Sequence, residues 1–419
     1  MVRLEEQKHL SLDKPIEKFP LPPKVYLPLV QHMGKACLPL VNVGDIVSLG
    51  QQIASVEANI SAPIHASLSG KVTAIQDWPH PVLGRCKAIV IENDGEDKLL
   101  APGAELPAQS PEQIRKIIRE AGIVGMGGAC FPTQVKLNPP KPVDSLIING
   151  AECEPYLTSD YRLMLEKTEE IFSGIELVAK CLKAKFIYIV IEDNKPQAIE
   201  KFRVQGSGFR VKVLKSAYPQ GGEKQLIKKI LKREVPSGKL PFDVGAVVQN
   251  VATVFAIYEA VYKNKPLYER VVTVTGSCIA NPRNLLVRLG TPVKDLIAFC
   301  GPLKEEPVKI IIGGPMMGIA QYTDEVPAIK STGGVILLNK KEAQEKEEEF
   351  CIRCGACVRE CPVGLMPCLI NLASEKWLWP QAKNYGALDC IECGLCDYVC
   401  PANRKLVQSI KRAKLEAGK

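Results

Sequence analysis

Apolar and polar positions change period several times along the chain, and each change predicts a different kind of element. The stretch VNVGDIVSLGQQIASVEANISAPIHASLSGKVTAI alternates short apolar runs with glycine turns, which predicts a small β-sandwich. A linker, APGAELPAQSP, separates it from a helix over Glu112 to Ala121. VDSLIING is a continuous apolar run closed by Asn149 and Gly150, the pattern of a buried strand. Ile171, Ile175, Val178 and Leu182 then recur at helical spacing. KFIYIVIEDNKP reads as a strand followed by a helix with Pro196 in its first turn, FRVKVL as a further strand, and YPQGGEKQLI as another helix start. Gly245 to Tyr258 is an apolar run interrupted by Gln249 and Asn250, expected to be a buried helix and too short to span a membrane. Strands alternating with helices predict an α/β layer with a mostly parallel sheet.

The second half has other periods. From VVTVTGSCIANPRNLLVRLGTPVKDLIAFCG to VKIIIGGPMMG, proline and glycine turns separate short β-rich runs, with Gly313 and Gly314 in tight turns. NKKEAQEKEEEF, residues 339–350, is a charged connector expected to be a solvated helix. Between Val363 and Asp389, Leu365, Leu369, Leu372 and Trp379 are expected to line one helix.

With 419 residues the chain is long for one core and predicts several domains. A hydrophobic share of 46% and a charged share of 24% are those of an ordinary globular protein. There is no run of 18 uncharged apolar residues, and MVRLEEQKHLSLDK lacks a signal-peptide core. The expectation is a cytoplasmic protein, free or held on a membrane by partners. The net charge of +8 is dispersed apart from NRKLVQSIKRAK, so no nucleic-acid footprint emerges.

Half of the 16 cysteines sit in two copies of C-x2-C-x2-C-x3-C-P, CIRCGACVRECP and CIECGLCDYVCP. Three closely spaced cysteines on one loop aim at one cluster, and the fourth reaches the cluster of the other run. This assigns Cys351, Cys354, Cys357 and Cys400 to one [4Fe–4S] cluster, and Cys390, Cys393, Cys396 and Cys361 to a second. Gly355 and Gly394 let the backbone wrap closely, while Cys368 reads as a core thiol. Paired zinc ribbons are the competing reading, but zinc knuckles do not present three cysteines in register followed by x3-C-P.

Two one-electron centres need an electron source. GIVGMGGACFPTQVKL supplies glycines at 122, 125, 127 and 128 that permit positive φ and close approach, and Lys136 adds a point charge. By glycine content alone a plain surface loop competes with a phosphate cradle. AECEP then places Glu152 and Glu154 after a strand, where carboxylates bind ribose or flavin atoms.

GIVGMGGACFPTQVK and INGAECEP resemble the flavin and NADH loops of the NADH-oxidising flavoprotein of respiratory complex I. Together with YPQGGEKQL, GGPMMG and the two cysteine runs, they resemble the peripheral C subunits of Rnf ferredoxin:NAD+ oxidoreductases over almost the whole chain. The resemblance implies FMN, NAD(H) and two [4Fe–4S] clusters. It puts FMN on Gly125, Gly127, Gly128, Lys136, Asn149, Glu152, Gly222, Glu223 and Asn250, with Phe131 near the nicotinamide and Glu154 facing the NADH ribose. Met126, Cys130, Ala151 and Lys224 depart from the complex I pattern, which bears on the dinucleotide contacts more than on the flavin.

The fold implied is multidomain, α/β and α+β. Residues 1–100 resemble a carrier-like barrel-sandwich and 101–270 a Rossmann-like FMN/NADH domain. Residues 271–338 resemble a soluble-ligand-binding β-grasp module and 339–419 a two-cluster ferredoxin domain. The sandwich tip, Val56 to Ile60, has no lysine for a prosthetic arm, and His65 reads as structural. The implied function is that of one subunit in an ion-translocating oxidoreductase on the cytoplasmic face of a membrane, with membrane subunits and a ferredoxin-type subunit as partners. A cobalamin reductase of the propanediol-utilisation type, and an electron-relay adaptor without flavin chemistry, are the rival readings.

Overall fold

The computed structural model describes residues 2–100, 110–206, 208–343 and 346–418. The linker over 101–109 lies outside them. The first unit is a sandwich of two small sheets. One orders Lys24–Pro28, Gly84–Asn93, Gly70–His80 and Ile46–Val47, and the other Leu38–Pro39, Gln52–Ser55 and Ile64–His65. Val25, Leu27, Val72, Ile89 and Ile91 fill the core between them. The tip at 56–60 joins Gln52–Ser55 to Ile64–His65, and Lys71 sits away from it, opposite Ile46. Residues 2–18 do not belong to this sandwich. Val2 bridges to Tyr218, and Ile16–Lys18 runs parallel to Arg283–Arg288 in another sheet.

The second unit carries a four-stranded parallel sheet, ordered Arg210–Leu214, Phe186–Glu192, Ser145–Gly150, Ala246–Asn250. Apart from the exposed edge strand Arg210–Leu214, its strands are largely apolar on both faces because helices cover both. Leu146, Ile148, Ile189, Ile191 and Val247 face Thr168–Leu182, Val251–Lys263 and Pro111–Glu120, whereas Ile147, Val190, Ala246 and Val248 face Glu223–Leu231. Ser110 and Gln113 form a capping box on Pro111–Glu120. Thr168–Leu182 and Val251–Lys263 pack so closely that a Cβ on Gly174 would lie 2.3 Å from the Val254 carbonyl. The expected helix over 245–258 is in fact a strand, Ala246–Asn250, joined directly to a helix, Val251–Lys263. The Asn250 side chain caps that helix and so ends the strand, a boundary that an unbroken apolar run conceals.

The third unit is a six-stranded mixed sheet, ordered Ile16–Lys18, Arg283–Arg288, Glu269–Thr275, Gly334–Leu338, Lys309–Ile312 and Ile319–Gln321. Buried Cys278 and Cys300 belong to its core. The connector at 339–350 is not the expected helix. Its described residues form a turn and then an irregular run, in which the Glu349 amide bonds the Ala402 carbonyl. In the C-terminal unit, Pro367–Glu375 and Leu406–Ala417 pack together. The single helix expected around Leu365, Leu369, Leu372 and Trp379 is two, Pro367–Glu375 and Trp379–Asn384. Leu372 points outward at 48% exposure. Pro380 at the start of the second helix forces the break.

Candidate functional site

The parallel sheet reverses its strand order between Ser145–Gly150 and Ala246–Asn250, and ligands of open α/β sheets sit outside the carboxyl ends at such a point. Asn149 and Asn250 are register partners there. Asn149 Nδ2 donates to the Gly221 carbonyl at 2.9 Å, and its Oδ1 accepts from the Ala151 amide at 3.1 Å. Asn250 Oδ1 accepts from the Ala252 and Thr253 amides, and its Nδ2 donates to Asp160 Oδ2 at 2.6 Å.

The glycine loop closes over this pair. The Met126 amide donates to Thr253 Oγ1 at 2.9 Å and the Gly125 amide to the Phe131 carbonyl at 2.9 Å. Of the four glycines only Gly122 has positive φ, so unusual torsion does not require glycine at 125, 127 or 128. A Cβ on Gly127 would lie 2.8 Å from Asn250 Nδ2, while one on Gly128 would meet nothing within 4 Å. Gly127, Gly128 and Ala129 are exposed, so a stretch with nothing larger than a methyl lies beside half-buried Phe131. Fully buried Lys330 fixes the entry of the loop, donating to the Gly122 and Pro63 carbonyls at 2.7 Å each. Its ammonium is pushed down to about 8 by burial.

Lys136 ends the loop's short helix and pairs with Glu223 at 2.5 Å, at the first turn of Glu223–Leu231 behind Gly222. The glycine loop, Asn149, Asn250, Lys136, Gly222 and Glu223 therefore meet at one end of the sheet. The two carboxylates of the AECEP loop do different things. Glu152 accepts from the Asp160 and Tyr161 amides at 2.7 and 3.2 Å, capping Ser159–Glu166. Glu154 turns the other way and accepts from the Met316 and Met317 amides at 3.1 and 2.9 Å and from the Tyr218 hydroxyl at 3.3 Å. Burial holds the Glu154 carboxyl above its ordinary range. Asp160, which the sequence reading missed, is raised to about 7, by burial first and by the charge of Glu152 second.

Tyr218 is the other residue missed, although it stands in the quoted YPQGGEKQL motif. Its hydroxyl donates to the Cys393 carbonyl at 2.8 Å, and its ring is buried with Leu395 and Cys393. Gly394 packs on Met316, where a Cβ would lie 2.7 Å from the Met316 carbonyl.

The two cysteine runs share one backbone. Arg353 and Glu392 both have φ 57°, Gly355 and Gly394 have φ 73° and 79°, and each run continues into a four-residue helix, Ala356–Arg359 or Leu395–Tyr398. Amides turn toward sulfur, from Leu365 to Cys361 Sγ at 3.3 Å and from Glu392 to Cys390 Sγ at 3.4 Å. The Cys393 thiol is raised to about 11, mainly by burial, with the neighbouring Cys390 and Cys361 sulfurs adding to it. Cys357 is likewise raised to about 11, by burial first, beside Cys368 and Cys400. Cys361 is thus a neighbour of Cys393, and Cys400, with Cys368, a neighbour of Cys357. Cys351 and Cys354 are exposed. Among the described residues no three side chains converge tightly enough for a single metal ion. A cysteine-rich donor set, with backbone amides aimed at Cys361 and Cys390, suits a cubane cluster.

Four family descriptions match the chain. They are the RnfC barrel sandwich hybrid domain over residues 2–96, the Nuo51 FMN-binding domain over 118–259, the SLBB domain over 271–320 and a 4Fe-4S binding domain over 345–365. The C subunit of the proton-translocating ferredoxin:NAD(+) oxidoreductase complex of Clostridium ljungdahlii is 50% identical, over 99% of this chain and 93% of that one. The Na(+)-translocating counterpart of Acetobacterium woodii is 43% identical, over 98% and 94%. A chain of an NAD+-reducing [NiFe]-hydrogenase in the H2-reduced state shares the fold, with a TM-score of 0.50 and 17% identity over 73% of this chain and 63% of that one. On these grounds the chain belongs to the family of C subunits of ion-translocating ferredoxin:NAD(+) oxidoreductase complexes.

Proposed function

We propose that this protein passes electrons between NAD(H), FMN and two [4Fe–4S] clusters as the C subunit of such a complex. The observation that carries the reading is the Tyr218 hydroxyl, whose one proton is shared between the Cys393 carbonyl at 2.8 Å and Glu154 at 3.3 Å, so that the flavin loops and a cysteine loop meet in one contact. When bound, FMN exchanges a hydride with nicotinamide and single electrons with the clusters. The chain's own residues supply the positions. Gly125, Gly127 and Gly128 admit the cofactor, Asn149 and Asn250 hold the floor, and Lys136 with the first turn behind Gly222 offers positive charge to its phosphate. Glu223 holds Lys136 in place, and Glu152 fixes the helix beside Asn250.

The dinucleotide would enter over the exposed Gly127–Ala129 backbone beside Phe131. Glu154 already accepts three hydrogen bonds, so we assign it to the seam with the cysteine loop rather than to the ribose. Cys390, Cys393, Cys396 and Cys361 then hold the cluster nearest the flavin. Cys351, Cys354, Cys357 and Cys400 hold the outer one, and exposed Cys351 and Cys354, flanked by Phe350 at 94% exposure and Ile352 at 66%, mark the exit toward an iron–sulfur partner. We read the sandwich as a carrier-like fold without a prosthetic arm, the flavin unit as Rossmann-like and the mixed sheet as a β-grasp. No helix among the described residues is long and apolar enough to cross a membrane, so ion movement falls to membrane partners. Anaerobic stopped-flow absorbance with NADH tests the reading. Bleaching of FMN ahead of the clusters is expected, and flavin that stays oxidised would overturn it.

A further inference from the structure

Residues 151–157 connect the flavin floor to the cysteine loop, and their backbone is costly to hold. Glu152 and Tyr156 both have positive φ, 46° and 68°, which non-glycine residues seldom adopt. Neighbouring carbonyls in this loop turn inward onto two ammonium groups. Lys195, fully buried, donates to the Ala151 carbonyl at 2.6 Å. Lys8, only 6% exposed, donates to the carbonyls of Glu152, Glu154 and Leu157 at 2.9, 2.9 and 2.5 Å.

An ammonium has three N–H donors, and Lys8 spends all three on this loop. It reaches the loop from the N-terminal arm, which is tied down alongside. The Tyr156 amide bonds the Glu6 carbonyl at 2.7 Å, and Ser11 Oγ meets Thr158 Oγ1 at 2.8 Å. Two of the carbonyls held by Lys8 belong to Glu152 and Glu154, whose side chains point in opposite directions, one to the helix beside Asn250 and one to Met316, Met317 and Tyr218.

We propose that Lys8 is a positioning residue that holds this strained loop in the single conformation in which Glu152 serves the flavin floor and Glu154 serves the cysteine-loop seam. The inference rests on the FMN reading above for its first half and on the seam geometry alone for its second. A neutral side chain of similar length leaves three buried carbonyls without donors, and the loop then relaxes toward ordinary torsions at both ends.

The test compares Lys8→Met and Lys8→Gln with wild type in the full chain, reconstituted anaerobically. Amide hydrogen exchange is followed at Asp160 and Tyr161 on one side and Met316 and Met317 on the other. FMN affinity is read by quenching of flavin fluorescence. In Lys8→Met, exchange at both amide pairs is expected to rise about tenfold and FMN to bind about tenfold more weakly, the loss expected for a hydrogen bond to a charged group. Lys8→Gln, which keeps two donors and guards against misfolding, is expected to fall between. The electron paramagnetic resonance spectrum of the cluster held by Cys390, Cys393 and Cys396 should change while that of the other cluster does not. Faster exchange confined to residues 2–16, with both amide pairs and FMN affinity as in wild type, would overturn the proposal and leave Lys8 as an anchor of the arm. If wild type itself binds no FMN, the flavin reading fails, and the exchange data at Met316 and Met317 still decide the role of Lys8.

Discussion

Asn149 and Asn250 are register partners in adjacent parallel strands, and each spends its amide on a segment beyond the sheet, Asn149 on Gly221 and Asn250 on Asp160. The pair ties the Gly221 loop and the helix Ser159–Glu166 to one floor. Because Asn250 also caps Val251–Lys263, replacing it removes a helix cap and an amide donor together. Asn250→Ala is expected to lower stability by about 1–2 kcal/mol, within the range for a lost N-cap, and to weaken FMN binding. Urea denaturation of the apo-protein, paired with a flavin titration, measures both. Unchanged flavin affinity would remove Asn250 from the cofactor floor.

Asp160 gives a pH signature. Its folded carboxyl is raised to about 7, so between the ordinary carboxylate range and that value the folded state keeps a proton that the unfolded chain releases. Stability from this group is therefore greatest in acid and declines as pH rises through about 4 to 7. Asp160→Asn removes the titration. Relative to that variant, wild type should lose stability progressively across the window, on the order of a few kcal/mol. Parallel pH–stability curves for the two proteins would contradict the assignment.

Lys136 and Glu223 form one unit, since their 2.5 Å contact places a carboxylate beside the ammonium proposed above to meet the phosphate. Lys136→Ala should weaken FMN about ten- to a hundredfold, because it removes the cation and leaves Glu223 uncompensated. Glu223→Gln retains the cation and should cost less. Fluorescence titrations that reverse this order would place the phosphate elsewhere.

Cys361 neighbours Cys390 and Cys393, which supports the crossed ligation proposed above. Wild type should carry roughly eight irons. Cys361→Ala should degrade the cluster of the second run while sparing that of Cys351, Cys354 and Cys357. Iron analysis with paramagnetic resonance of the reduced protein distinguishes the two. Loss of the first cluster would reverse the assignment.

The parts legible in the sequence were those written locally. The spacing of a cysteine run, the glycines around 125–128 and the strand–helix alternation over 145–231 each fit within a few turns of chain. What could not be read depends on distant partners. Glu154 looks like a free carboxylate until Met316, 162 residues away, supplies its amide. Lys8 carries no local signal, since its acceptors are backbone carbonyls 144 to 149 positions on. The strand hidden in 245–258 was masked for another reason. A buried strand joined directly to a buried helix leaves one apolar run with no period to separate them.

The reach of the N-terminal arm sets an order on assembly during synthesis. Lys8 leaves the ribosome long before its nearest acceptor, 144 residues later, an interval of roughly 7–30 s at ordinary elongation rates. Glu154 then waits for Met316, and Tyr218 for Cys393, 175 residues beyond it. The segment linking the two cofactor regions is thus among the first begun and the last completed, closing only when the final cysteine run has emerged. Contacts of such long range fold slowly. A nascent chain that stalls before Cys393 leaves the Tyr218 hydroxyl without its carbonyl acceptor and the apolar faces of Leu4, Cys153 and Met316 without the Leu395 surface that covers them, a state suited to recognition by chaperones.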